Sequence, residues 1–170
     1  QLYGIGQTPF CTALSQRSLY GTMKNNCNIK YIDGYIGIVK DTKESYKSTI
    51  ERVFGADMKF DVVIGNPPYQ ESNGAGQSGG TPLFDKFILN SLDISNRCVC
   101  MIFPSKWMAG TQGNMVTLRK KLTEGNHIKR IVDYMDASII FPGTSIAGGV
   151  QYLMYDNEYV GDTDFTTVLD

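Results

Sequence analysis

Short apolar runs alternate with longer amphipathic stretches along this chain, the order of an α/β protein. Gln1 to Ile5 reads as the end of a first strand. Thr8-Pro9 then supplies a capping hydroxyl and a first-turn proline for a helix through about Tyr20. Asn28 to Ile32 is the next strand, and Asp41 followed three residues later by Glu44 suggests a capping box for a helix through roughly Phe54. Gly34 and Gly37 make the approach to that helix irregular. Val62-Val63-Ile64, inside Phe60 to Gly65, is an unbroken apolar run that predicts a buried parallel strand.

The same alternation continues downstream. Gly74, Gly76, Gly79 and Gly80 mark a mobile connection, after which Thr81-Pro82 is a cap for a helix carrying Phe84, Phe87, Ile88, Ser91 and Leu92 on related faces. Cys98 to Phe103 predicts a strand stopped by Pro104, and Met115 to Leu122 a further helix. Ile128 to Tyr134 and Val150 to Tyr155 are later strands, with turns at Phe141-Pro142-Gly143 and Gly148-Gly149. No repeat or obvious linker interrupts the 170 residues, so a single α/β unit is expected.

Composition narrows the function classes. With 42% hydrophobic and 19% charged residues the chain can bury a core, which argues against disorder. A formal net charge of -1 offers nucleic acid no global attraction, so any such contact must be local. Arg119-Lys120-Lys121 and Lys129-Arg130 are short basic groups of the kind found at solvated helix and strand ends. Cys98-Val99-Cys100 places two thiols on one strand face, and neither Cys11 nor Cys27 has a Cys-x-x-Cys partner, so reduced, structural cysteines and no metal site are expected. No long apolar segment resembles a membrane span or signal peptide, and the cytoplasm is the expected location.

The chemistry concentrates at Asn66-Pro67-Pro68-Tyr69, where the apolar strand ends. Open α/β sheets expose their active sites at the carboxyl ends of strands. The exocyclic amine of a planar base can donate to the Asn66 side-chain oxygen and to the Pro67 carbonyl while Tyr69 stacks on the ring. Held so, the amine lone pair is freed from conjugation and aimed at an electrophile, with no metal needed. An ordinary proline turn, with Asn66 capping and Tyr69 packing, is the competing reading.

Together with Gly80-Thr81-Pro82-Leu83-Phe84-Asp85-Lys86-Phe87, Met101-Ile102-Phe103-Pro104-Ser105-Lys106-Trp107, and Phe141-Pro142 followed by Ser145-Ile146-Ala147-Gly148-Gly149-Val150, this tetrad resembles the adenine-N6 DNA methyltransferases of restriction-modification systems. The resemblance spans most of Gln1 to Asp156. It implies a Rossmann-like S-adenosylmethionine-dependent methyltransferase fold, with a late antiparallel strand at one edge. Residues 1–170 would be a partial catalytic domain lacking the first strand and its donor-binding loop.

It also implies methyl transfer from S-adenosylmethionine to an adenine rotated out of duplex DNA. Asn66, Pro67, Pro68 and Tyr69 are then the catalytic group, and Phe141 a second aromatic wall for the base. On the donor side Gln7 follows the strand where the family places an acidic ribose contact, and Asp33 follows the next strand, near the donor adenine; Asp33-Gly34 is equally a favourable turn. Duplex DNA, an upstream donor-binding segment and a downstream target-recognition domain are the expected partners. Glu71 to Gly80 is expected to order when DNA binds. Two other readings stay open: a protein-glutamine methyltransferase, which can use the same tetrad, and a noncatalytic methyltransferase-fold module.

Overall fold

The computed structural model describes residues 1–6, 8–21, 27–32, 45–71 and 80–169. They fall into two compact units, Gln1–Met58 and Lys59–Asp170. In the first, β1 (Tyr3–Gly6) leads into α1 (Pro9–Tyr20), and β2 (Asn28–Tyr31) and α2 (Tyr46–Phe54) follow. Thr8 is extended and its hydroxyl oxygen accepts the Cys11 N–H at 3.1 Å, with Pro9 in the first turn, so α1 starts where cap and proline predict. β1 and β2 run parallel, Tyr3 opposite Asn28 and Gly6 opposite Tyr31. Any side chain on Gly6 would collide with Thr12 of α1, so strand and helix approach as closely as backbone allows. α2 is capped by Ser45, which accepts the Ser48 N–H at 3.1 Å; the predicted Asp41 and Glu44 capping pair lies outside the described residues. Ile29 and Ile50 are buried in this unit, and Tyr3 meets Phe54 edge-on at 5.3 Å.

The second unit is built on β3 (Phe60–Gly65), β6 (Ser95–Pro104), β7 (Ile128–Tyr134), β8 (Val150–Asp156) and β9 (Asp164–Val168), in the spatial order β3-β6-β8-β7-β9. β3 and β6 are parallel, β8 is antiparallel to both neighbours, and β9 is parallel to β7. Three expectations need correction. β3 is parallel as expected but not buried, since Val62 and Ile64 are exposed. The antiparallel strand is internal: β8 returns from β7 and fills the slot between β7 and β6, while β9, which no sequence signal marked, takes the edge. Thr81-Pro82 is not a helix cap but the short strand β5, which pairs antiparallel with β4 (Gln70–Glu71); α3 (Phe84–Ile94) begins after Leu83 without a side-chain cap. The Lys86 N–H in its first turn donates to the Asp85 carboxylate at 2.8 Å.

Helix periodicity does the packing. Phe84, Ile88, Ser91 and Leu92 of α3 are buried at spacings of four, three and one, and Met115, Leu118 and Leu122 of α4 (Met115–Thr123) at three and four. All of these but Ser91 join Val99, Met101 and Phe103 of β6 and Ile131 and Leu153 of the central strands in one cluster. The cross-strand row one short of the carboxyl end of β6 departs from this apolar pattern, for it reads Phe103, Gln151, Asp133. All three are buried.

On the opposite face Cys98 and Cys100 lie with their sulfurs 3.6 Å apart, as the Cys-x-Cys spacing predicts. Burial, followed by the hydrogen bond and charge of Cys100, pushes the Cys98 thiol up to about 12. Among the described residues no helix is long and apolar enough to cross a membrane, and no group of three or more His, Cys, Asp or Glu side chains is poised to hold a metal ion.

Candidate active site

Strand β3 delivers Asn66 at its carboxyl end, beside parallel β6, whose Met101 is opposite Gly65. The next four residues differ sharply in environment. Asn66 is exposed, Pro67 is buried, and Pro68 and Tyr69 are half-buried. The two prolines carry no backbone N–H, so positions 67 and 68 offer the turn acceptors only. Tyr69 is anchored on both sides: its carbonyl accepts the Leu83 N–H at 3.2 Å and its ring packs against the core cluster. Its hydroxyl is buried without a hydrogen-bond partner among the described residues, and burial raises its pKa above the ordinary phenol value, so the ring stays neutral.

The loop bearing Phe141 leaves the same end of the sheet, because β3, β6 and β7 all run in one direction. Phe141 is half-buried; its N–H reaches the Ala137 carbonyl at 2.8 Å and its carbonyl accepts the Thr144 N–H at 3.0 Å. Asp136 caps this turn through Ser138, and those hydrogen bonds hold its carboxyl below the usual range. The loop closes at Gly149, which has φ +73 and lies against the Tyr134 and Met135 carbonyls where a side chain has no room. The sheet therefore places Asn66 to Tyr69 and Phe141 at one end, three strand positions apart, while Gln7, Asp33 and nearly all of the Glu71 to Gly80 loop lie outside the described residues.

The structure adds residues that the sequence pattern passed over. Ser105 follows β6 and donates its hydroxyl hydrogen to the buried Asp133 carboxylate, while its N–H reaches the Gly149 carbonyl at 3.2 Å. This junction ties the end of β6 to β7 and to the base of the Phe141 loop. Gln151, fully buried between Phe103 and Asp133, has neither amide atom paired among the described residues, and the buried Trp107 indole N–H likewise finds no partner among them. The available signal was Asp133 itself, a charge at an inward position of the strand that also buries Ile131. The turn after β6 is held further by Arg119, which donates to the carbonyls of Trp107, Met108 and Gly110 at 2.8, 3.2 and 3.1 Å.

Comparison with known proteins bears on the family and the fold. The profile of the Eco57I restriction-modification methylase family matches residues 1–141. An uncharacterised adenine-specific methylase of Mycoplasma pneumoniae is 38% identical over 155 residues, covering 86% of this chain and 36% of that protein. The chain thus spans about a third of the length of this curated relative. Among solved structures, a modification subunit of a putative type I restriction enzyme from Vibrio vulnificus superposes with TM-score 0.63 at 14% identity, over 99% of this chain and 35% of that one. A putative class I S-adenosylmethionine-dependent methyltransferase from Listeria monocytogenes gives TM-score 0.63 at 10% identity, over 98% of this chain and 49% of that one. The fold is the Rossmann-like fold of S-adenosylmethionine-dependent methyltransferases, and the chain belongs to the Eco57I restriction-modification methylase family.

Proposed function

We propose that this chain is the catalytic part of a DNA adenine-N6 methyltransferase of a restriction-modification system, using S-adenosylmethionine. The observation that supports it most is the placement of Asn66-Pro67-Pro68-Tyr69 at the carboxyl end of β3, with an exposed carboxamide beside an anchored aromatic ring. Family membership adds to it.

In this reading an adenine leaves the duplex stack, because its N6 edge cannot enter the pocket while paired. The Asn66 side-chain oxygen and the Pro67 carbonyl accept its two N6 hydrogens, while Tyr69 stacks on one face and Phe141 on the other. S-adenosylmethionine supplies an electrophilic sulfonium methyl, and the protein contributes mainly orientation and hydrogen bonding. The buried Tyr69 hydroxyl, unpartnered among the described residues, suits a ring that stacks and does not act as acid or base.

Within the described residues the β1–α1 junction suits the donor: strand and helix meet at Gly6 without side-chain bulk, the kind of close turn at which α/β sheets hold nucleoside cofactors. Gln7 would contact the ribose and Asp33 the adenine amino group. Residues 1–170 act as a partial catalytic domain, with the remaining donor loop and the reading of the DNA sequence supplied from outside it, and the enzyme works in the cytoplasm. The test is to supply labelled S-adenosylmethionine and duplex DNA to the intact protein and identify the product base. N6-methyladenine supports the reading; label on a protein glutamine replaces it.

A further inference from the structure

We propose that Lys106 binds a DNA backbone phosphate flanking the extruded nucleotide, an assignment that rests on the function proposed above. Lys106 lies in the short turn Ser105–Met108 that directly follows β6, at the sheet end that carries Asn66. Its ammonium stands 5.7 Å from the centre of the Phe84 ring. Phe84 is next to Leu83, whose N–H holds the Tyr69 carbonyl. The cation thus lies over the residue that follows Leu83, the anchor of Tyr69.

The turn is rigid before any ligand arrives. Arg119 binds two of its carbonyls, those of Trp107 and Met108, and that of Gly110 just beyond, the Lys106 carbonyl itself accepts the Gly110 N–H at 2.7 Å, Ser105 is tied to Asp133 and Gly149, and Trp107 is 3% exposed. A fixed cation needs less ordering when an anion binds.

No carboxylate among the described residues forms an ion pair with Lys106. The nearby acids are engaged: Asp133 accepts from Ser105, and Asp85, fully buried, accepts the Lys86 and Asn114 N–H groups at 2.8 and 2.6 Å. The half-buried Lys106 keeps its stem against an aromatic ring while its head retains hydrogen-bonding capacity, the usual compromise of a long cationic side chain.

Two anions could reach this end of the sheet, a DNA phosphate and the carboxylate of the methyl donor. The phosphate is favoured because a chain of net charge -1 attracts DNA only where single cations are presented locally, and because an extruded nucleotide brings its flanking phosphates against the residues that clamp its base. A contact of this kind carries no base information, so it contributes affinity and position and leaves sequence choice unchanged.

Duplex DNA binding by the intact protein, measured across a series of salt concentrations, reads the contact directly. Lys106→Met should weaken binding severalfold at low salt and reduce the slope of log affinity against log salt by about 0.9, the value for one phosphate. Lys106→Arg should keep the slope, and both variants should keep donor affinity and the same preference among DNA sequences. An unchanged slope in a folded Lys106→Met protein whose parent binds and methylates DNA overturns this assignment alone. A loss of donor affinity with an unchanged slope gives the ammonium to the donor carboxylate and also overturns it. A parent protein that binds no DNA removes both this assignment and the proposed function.

Discussion

At the scale of single residues, Asn66 and Tyr69 separate chemistry from packing. Asn66 is exposed, so Asn66→Ala should leave the melting temperature nearly unchanged while lowering kcat of the intact enzyme by roughly a hundredfold or more, the usual loss for one positioned hydrogen-bonding group. Tyr69 makes the complementary case. Its hydroxyl has no partner among the described residues, so Tyr69→Phe should retain most activity, whereas Tyr69→Ala gives up base stacking of about 1–3 kcal/mol together with core contacts. Equal losses in both variants, measured as kcat/KM, would mean that the hydroxyl and not the ring matters.

Cys98 offers a pH test of the same kind. An acid whose folded value is raised keeps its proton while the unfolded chain loses one, so this contribution to stability is complete below the ordinary thiol value of 9.0 and is lost as pH rises towards about 12. Near pH 8, alkylation should label exposed Cys11 well before Cys98, and peptide mapping of the native protein checks the order.

At the scale of elements, the polar end of the central sheet controls how the site is supported. Gln151 is fully buried with both amide atoms unpaired among the described residues, a costly arrangement, so Gln151→Leu should hold or raise the melting temperature; a fall of several degrees would show that the amide has a partner in solution. Asp85 behaves oppositely, since its buried carboxylate satisfies the N–H that opens α4. Asp85→Ala should cost about 1–3 kcal/mol in denaturant unfolding.

These elements also show what a sequence can display. Ile128 to Tyr134 was readable from its alternation, and α1 from Thr8-Pro9, because both signals are local. The internal place of β8 was not, because strand order depends on which edge the chain meets after the turn at Gly148-Gly149, a choice made by tertiary pairing. β9 stayed invisible because Asp164–Val168 is mostly exposed and carries no buried face to leave a pattern. Thr81-Pro82 misled because its extended backbone serves a strand pair as readily as a helix cap. In the site, the tetrad was legible since its chemistry is contiguous, whereas Ser105, Asp133 and Gly149 meet only after three strands are aligned.

At the scale of the molecule, a methyltransferase fold carries the tetrad proposed to clamp the base, within a family of restriction-modification methylases of whose curated relative this chain covers 36%. In the proposed reading activity belongs to the intact protein, and residues 1–170 alone are expected to methylate DNA weakly or not at all. The most direct measurement incubates the intact protein with isotopically labelled S-adenosylmethionine and duplex DNA of diverse sequence, then hydrolyses the DNA and identifies the labelled nucleoside by mass spectrometry. The account predicts N6-methyladenine, lost on Asn66→Ala. Label recovered on another base or on a protein glutamine, or no labelled DNA from a folded protein that binds both donor and duplex, would contradict it.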